Sequence, residues 1–159
     1  MADQAVILID GKVRQHGPLH DVFSRPADPT VARIVGIETI EPGEITDITD
    51  GLAQVRLGAN GTQVLVVAPA MSPGPVFVCI RGEDVTLERG VPLQTSARNR
   101  LPGKIVSLVS EGPTVRIQLD CGFPLTALVT RPSVEQLQLR EGETVTVLVK
   151  APAIHLVPR

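Results

Sequence analysis

Aromatic side chains are almost absent from this sequence of 159 residues, which has no tryptophan or tyrosine and only three phenylalanines. Proteins that bind single-stranded nucleic acids stack the bases on aromatic rings, and nucleic-acid-binding domains usually carry a surplus of basic residues. Here the formal net charge is −2 and the pI is about 5.9. We therefore expect no nucleic-acid partner, and an oligonucleotide-binding function is the alternative that the composition favours least.

Long apolar segments and cysteine motifs are also missing. The longest apolar runs, such as residues 64–68, are far shorter than the ~20 residues that cross a membrane. Met1–Asp10 contains two acids and no base, unlike a secretory signal. The two cysteines, Cys79 and Cys121, stand far apart and outside any C-x-x-C motif, so we expect two buried, reduced thiols. A soluble intracellular protein without direct membrane insertion is predicted.

Sequence signatures of catalysis are lacking as well. The chain has no G-x-S-x-G nucleophile elbow and no G-x-x-x-x-G-K-[ST] phosphate loop. Its three histidines show no metal-ligand spacing, and the acidic pair Glu83-Asp84 stands in a Gly-bounded turn that is typical of solvated carboxylates. We therefore predict that the chain is not an enzyme and uses neither a cofactor nor a metal cation.

An internal repeat of β-strand patterns follows Gly36. Runs rich in Val, Ile, Thr and Leu alternate with polar residues and are broken by Gly and Pro, which is typical of strands. Residues 42–45 match residues 102–105 at a shift of 60, and residues 76–81 match residues 145–150 at a shift of 69. Repeats of this kind predict two homologous units.

The middle of the repeat aligns at the shift of 60, which matches Val55 with Val115 and Leu65 with Leu125. The second copy then gains nine residues around 130–139, where we predict a short helix around Ser133–Leu137. Two small β-barrels of about five strands each follow from this pattern. Because each copy alone is marginal in size, we expect the two to pack on each other or to exchange strands.

The first 36 residues differ from the rest. Residues 6–9 and 12–15 flank Asp10-Gly11, a dipeptide that favours a tight hairpin. Two short helices are predicted next, one after Pro18 and one that Asp28 caps and Gly36 ends.

Three places offer donors for an anion. Residues 94–100 join the repeats and combine hydroxyls, an amide and two guanidiniums without an acid, although a polar linker has the same composition. Thr130 and Ser133 open the inserted helix, where Ser133 is interpreted as a capping residue and where an anion site is the alternative. Lys150-Ala151 follows a strand, where a lone lysine is usually only solvated.

The order of short motifs in the second repeat carries a resemblance. These motifs are Thr95-Ser96-Ala97-Arg98-Asn99, Gly103-x-Ile105, Thr130-x-x-Ser133-x-x-x-Leu137-x-Leu139, Glu141-Gly142-x-x-Val145 and Val149-Lys150-Ala151. Together they resemble the molybdenum-pterin-binding (Mop) domain, and residues 81–87 before them resemble the copy in ATPase subunits of molybdate importers. Residues 2–26 resemble the tail of an ABC-transporter ATPase domain, so the resemblance covers the whole chain.

The resemblance implies a mainly β fold: two tandem OB-like small β-barrels, a di-Mop arrangement, preceded by a short α+β remnant of an ABC ATPase domain. The expected domains are residues 1–36, 37–93 and 94–159. It also implies one site for molybdate or tungstate between subunits. The residues carried over to that site are Ser96, Ala97, Arg98, Asn99, Lys150 and Ala151, and Thr130 and Ser133 are expected to serve the same site or a second one.

The resemblance further implies regulation: intracellular oxyanion binds a homodimer of the chain and holds the transporter idle. The partners would be the membrane subunits of the importer, at the cytoplasmic face of the cell membrane. Because the phosphate loop, signature motif and Walker B strand are absent, we expect part of a longer ATPase or a detached regulatory protein, and Met1 standing where the family continues upstream favours the former. The alternative function is a structural dimerisation domain with a vestigial anion site.

Overall fold

A computed structural model describes residues 3–159 of the chain. The expectations for Met1 and Ala2 lie outside the described residues. The strands are β1 (Gln4–Ile9), β2 (Lys12–Pro18), β3 (Thr39–Thr49), β4 (Leu52–Leu57), β5 (Thr62–Val67), β6 (Gly74–Ile80), β7 (Thr86–Glu88), β8 (Asn99–Glu111), β9 (Thr114–Asp120), β10 (Pro124–Thr130), β11 (Thr144–Val149) and β12 (His155–Pro158). The α-helices are α1 (Leu19–Ser24), α2 (Pro29–Ile34) and α3 (Arg131–Leu137). Short 3-10 helices span Gly82–Asp84 and Ala151–Ala153.

The N-terminal segment folds as local sequence chemistry predicts. β1 and β2 form an antiparallel hairpin around Asp10 and Gly11, whose φ angles of 50° and 72° are those of a tight turn. The carboxylate of Asp28 accepts hydrogen bonds from the backbone N–H of Thr30 at 2.8 Å and of Val31 at 2.9 Å at the start of α2. The predicted hairpin, helix and cap are therefore confirmed.

Two five-stranded sheets make up the rest, and they exchange strands. One sheet has the order β12-β6-β3-β4-β5 and the other β10-β9-β8-β11-β7. The last strand of the second repeat thus completes the first sheet, and the last strand of the first repeat completes the second. Strand exchange, which the small size of each repeat favoured, is confirmed. It also means that residues 37–93 and 94–159 describe the sequence repeat and not the hydrogen-bonded sheets.

The two sheets share one irregularity at the same repeat position. β3 shifts register between Ile45 and Asp47, and β8 shifts register between Ile105 and Ser107. Both positions agree with the shift of 60 found in the sequence. A bulge of this kind bends a long strand, so each long strand can turn around its own small barrel.

The hairpin after each bulge departs from the predicted alignment. Ile45 pairs with Val55, whereas Ile105 pairs with Leu119. The structural counterpart of Val55 is therefore Leu119, at a shift of 64. The prediction that Val55 matches Val115 is wrong, because the β8–β9 hairpin is two residue pairs longer than the β3–β4 hairpin.

Equivalent polar side chains connect the two barrels in both directions. Thr39 and Asn99 begin β3 and β8 and are almost fully buried. The Thr39 hydroxyl accepts a hydrogen bond from the backbone N–H of Thr126 at 3.0 Å, and the Asn99 side chain bonds to the backbone of Leu65. The strand registers make Leu65 the counterpart of Thr126. The prediction that Leu65 matches Leu125 is therefore wrong. We call these two contacts the reciprocal clamp.

One apolar core extends through both barrels, from Ile45 and Val55 in the first to Ile105 and Leu119 in the second. A smaller cluster packs α2 against Cys79 and the exchanged strand β12. Among residues 3–159, no helix is long and apolar enough to span a membrane.

Candidate functional site

A cleft of about 360 Å³ brings together parts of the predicted oxyanion site. Its lining residues are Glu83, Asp84, Thr86, Thr95, Ser96, Ala97, Leu148, Lys150 and Ala153. Three of the predicted residues, Ser96, Ala97 and Lys150, share this cleft. They come from two segments that lie more than 50 positions apart in the sequence.

Strand pairing explains why these segments meet. The first residue of β8, Asn99, is paired with the last residue of β11, Val149. Because the strands are antiparallel, the residues just before β8 and just after β11 leave the sheet at the same edge. Ala151 is buried at this edge, at the start of a 3-10 helix. Its backbone N–H makes no hydrogen bond to any residue within 3–159.

Arg98 makes local hydrogen bonds just before β8, where the chain bends at Ser96. Its guanidinium donates to the backbone oxygen of Thr95 at 2.6 Å and to that of Ser96 at 3.5 Å. The Thr95 hydroxyl in turn accepts from the N–H of Ala97 at 3.2 Å. The guanidinium therefore organises the segment that lines the cleft, and a direct contact between Arg98 and an anion stays a prediction.

The Asn99 side chain faces the first barrel instead of the cleft. Its amide nitrogen donates to the backbone oxygen of Leu65 at 2.8 Å, and its amide oxygen accepts from the N–H of Leu65 at 2.7 Å. This pair of bonds imitates one step of a β-ladder, and only 4% of the residue is exposed. The amide oxygen and one of the two amide N–H donors are thus used, and a contact between Asn99 and an anion stays a prediction.

Thr130 and Ser133 lie elsewhere on the second barrel. Thr130 pairs with Thr114, and Thr114 pairs with Glu111 at the far end of β8 from Asn99. Within one chain these two hydroxyls therefore do not share the cleft of Ser96 and Lys150.

The start of α3 also differs from its interpretation. The helix begins at Arg131, and Thr130 is its N-cap, whose hydroxyl oxygen accepts from the N–H of Ser133 at 3.3 Å. The interpretation of Ser133 as the cap is wrong. Pro132, which lies in the first turn, requires no N–H partner there, so the helix can begin two residues earlier than predicted.

An acidic pair on the cleft was not recognised as part of it. Glu83 and Asp84 are exposed, as the solvated-turn interpretation predicted, but they also line the cleft together with Ser96. Burial raises the pKa of Asp84, and the neighbouring Glu83 carboxylate raises it further, while Arg81 opposes both. Sequence reasoning missed them because they belong to the first repeat and reach the second barrel only through the exchange of β7.

The cysteines are placed as expected. Cys79 and Cys121 are buried and unpaired, and burial raises the pKa of their thiols to about 11 and about 12. Within residues 3–159, no three His, Cys, Asp or Glu side chains come close enough to hold a metal ion.

The chain is similar to known proteins in sequence and in fold. Residues 95–156 match the TOBE domain family. The fold of the chain is similar to that of the cytoplasmic molybdate-binding protein ModG, solved with molybdate bound, with a TM-score of 0.70 at 20% identity over 78% of this chain and 98% of that one. The expected mainly β, OB-like architecture is therefore confirmed.

The chain is also similar in sequence to ATP-binding subunits of importers. It is 34% identical over 98% of its length to the molybdate/tungstate import ATP-binding protein WtpC of Pyrococcus abyssi, and covers 43% of that protein. It is also 34% identical over 98% of its length to the molybdenum import ATP-binding protein ModC of Rhizobium etli, and covers 44% of it. The chain thus spans less than half the length of these relatives and corresponds to their C-terminal region. The expected resemblance to such subunits is confirmed.

Proposed function

We propose that the chain binds a tetrahedral oxyanion, molybdate or tungstate, in the cleft between residues 95–97 and Lys150-Ala151. The observation that carries this proposal is the meeting of these two segments at one sheet edge, where Ser96 and Lys150 line one cleft and the N–H of Ala151, next to Lys150, makes no hydrogen bond within residues 3–159. The names of the relatives and of the ModG structure support the choice of anion.

The donors around the cleft suit a dianion that has lost its hydration shell. The Ser96 hydroxyl and the N–H of Ala151 supply neutral hydrogen bonds, and the exposed Lys150 supplies a charged one. A hydrogen bond to a charged group contributes about 1.5–3 kcal/mol, against about 0.5–1.5 kcal/mol for a neutral one. None of these groups needs deprotonation or redox chemistry, so the function is binding without catalysis.

Ser96 and Lys150 at the cleft are exposed, which leaves room for a second copy of the chain to complete the site. Thr130 and Ser133 lie on another part of the second barrel, so they would belong to such an intersubunit site or to a second one. We propose a homodimer on these grounds. Analytical ultracentrifugation at micromolar concentration tests it, and a purely monomeric protein at saturating molybdate contradicts it.

We further propose that oxyanion binding regulates an importer ATPase. The parent protein would carry the ATPase domain, act with membrane subunits at the cytoplasmic face of the membrane, and be inhibited when the anion is bound. The chain alone is expected neither to bind nor to hydrolyse ATP.

A structural dimerisation domain is the second candidate function. The observation in its favour is that the side chains of Arg98 and Asn99 already make hydrogen bonds within the chain. Calorimetry with molybdate, tungstate and sulfate separates the two functions. Saturable binding of molybdate or tungstate supports the regulatory role, whereas a dimer that binds none of the three anions supports the structural one.

A further inference from the structure

The first repeat contains a counterpart of the oxyanion cleft. The shift of 60 places Glu38 at the position of Arg98, and the shift of 69 places Arg81 and Gly82 at the positions of Lys150 and Ala151. Strand pairing supports both shifts, because Thr39 pairs with Ile80 as Asn99 pairs with Val149. The counterpart keeps a cation next to a backbone N–H but replaces an arginine by a glutamate.

Glu38 binds a backbone N–H whose counterpart in the second repeat makes no hydrogen bond within residues 3–159. A carboxylate oxygen of Glu38 accepts a hydrogen bond from the backbone N–H of Gly82 at 2.8 Å. The matching N–H, that of Ala151, makes no hydrogen bond to a described residue. One repeat therefore carries its own anion at this position, and the other has the donor available.

Close packing fixes the carboxyl group there. A Cβ atom built on Gly82 would lie 2.9 Å from the Leu128 Cγ, a distance that real side chains do not tolerate, and 3.4 Å from the Glu38 carboxyl carbon. Glycine at this position lets the carboxylate and Leu128 approach the backbone. Ala151, by contrast, carries a Cβ at the equivalent place.

The N-terminal segment covers the same counterpart. The guanidinium of Arg81 donates to the backbone oxygens of Phe23 and Val35. His155, the counterpart of Thr86, bonds through its Nε2 to the backbone oxygen of Pro26 at 3.0 Å. Arg81 and His155, which match Lys150 and Thr86 of the cleft, thus already bond to carbonyl groups in or next to α1 and α2.

We propose that Glu38 is an internal anion that closes the first repeat to oxyanions, so that each chain binds oxyanion through its second repeat only. Glu38 acts as a specificity-determining residue: its carboxylate satisfies the Gly82 N–H and repels a second anion. The proposal deepens the proposed function, on which its statement about molybdate rests. The role of Glu38 as an internal anion is testable without molybdate.

Removal of the carboxylate tests the proposal. Glu38→Ala leaves the Gly82 N–H without an acceptor, and formate should then enter and restore stability. We expect a formate titration to raise the Tm of this variant by at least about 2–4 °C, the shift that one hydrogen bond represents in a chain of this size. The unsubstituted chain and Glu38→Gln, which keeps an acceptor for Gly82, should show no such rise in Tm at the same ionic strength.

Calorimetry with molybdate supplies the second readout. The unsubstituted chain should bind one molybdate, whereas Glu38→Ala should show an additional, weaker binding event. Glu38→Gln, which keeps an acceptor for the Gly82 N–H, should bind only one. If Glu38→Ala does not fold, Glu38→Ser, which also removes the carboxylate, decides this point.

The proposal is overturned if the folded variants bind no additional molybdate and formate stabilises none of them. If the unsubstituted chain binds no molybdate but formate stabilises Glu38→Ala, the proposed function is refuted. The role of Glu38 as an internal anion then still stands.

Discussion

The most informative substitution in the fold is Asn99→Ala, because it tests which partner this side chain serves. The change removes both hydrogen bonds to Leu65, each of which contributes about 0.5–1.5 kcal/mol. It also leaves a half-buried N–H and carbonyl of Leu65 without partners, which adds to the cost. We expect the free energy of unfolding to fall by about 2–4 kcal/mol, which corresponds to a Tm lower by roughly 5–15 °C.

Urea unfolding and thermal melts measure this loss, and Asn60→Ala is the matched control. Asn60 is exposed and makes no side-chain hydrogen bond to another residue within 3–159, so its replacement should change stability by less than about 0.5 kcal/mol. A stable Asn99→Ala protein that has lost oxyanion binding would refute the reasoning. It would show that the amide is a ligand of the anion and that the reciprocal clamp is dispensable.

Three further predictions concern charge and burial. Asp84→Asn should tighten molybdate binding severalfold in calorimetry, because it removes a carboxylate that lines the cleft; unchanged or weaker binding would contradict this. Burial, aided by the Arg25 cation, lowers the pKa of His155, so the unfolded chain takes up this proton at a higher pH than the folded one. Stability should therefore fall as the pH drops below about 6.5, and His155→Gln should flatten that dependence in melts at several pH values. Because burial raises their pKa, the thiols of Cys79 and Cys121 should react with a thiol reagent only after denaturation, and fast reaction of the native protein would be inconsistent with their burial.

Local chemistry made the N-terminal segment predictable from sequence. Asp10-Gly11 specifies a tight turn through positive φ angles, and Asp28 specifies a helix start through its carboxylate. Both features depend on neighbours within a few residues. Their outcome does not depend on the rest of the fold.

The alignment of the repeats was only partly predictable. The ends of the repeat, at residues 42–45 and 145–150, are fixed by strand positions that the sequence preserves. The middle is not, because the β8–β9 hairpin is longer and the loop before β10 is shorter. A constant shift of 60 therefore assigned Leu65 to Leu125, on the wrong side of its strand. Hairpin lengths become visible only when the strands are paired.

The candidate site was predictable as a set of residues but not as a geometry. Ser96 and Lys150 were selected from a resemblance, and the pairing of Asn99 with Val149 explains why they meet. The use of the Asn99 side chain by the first barrel depends on a contact across 34 positions of sequence. The contribution of Asp84 depends on strand exchange, which the sequence allows without specifying its partners.

The central claim is that the cleft between residues 95–97 and Lys150 binds the oxyanion. Calorimetry with molybdate at fixed ionic strength, on folded variants, tests it most directly. Arg98→Ala should weaken binding by about ten- to a hundredfold and Lys150→Ala by less. A hydrogen bond to a charged group contributes about 1.5–3 kcal/mol, and ~1.4 kcal/mol corresponds to a factor of ten in Kd. Lys104→Ala, an exposed cation within β8 and outside the cleft, should leave the Kd unchanged. Parental affinity in both Arg98→Ala and Lys150→Ala would contradict the assignment of the site.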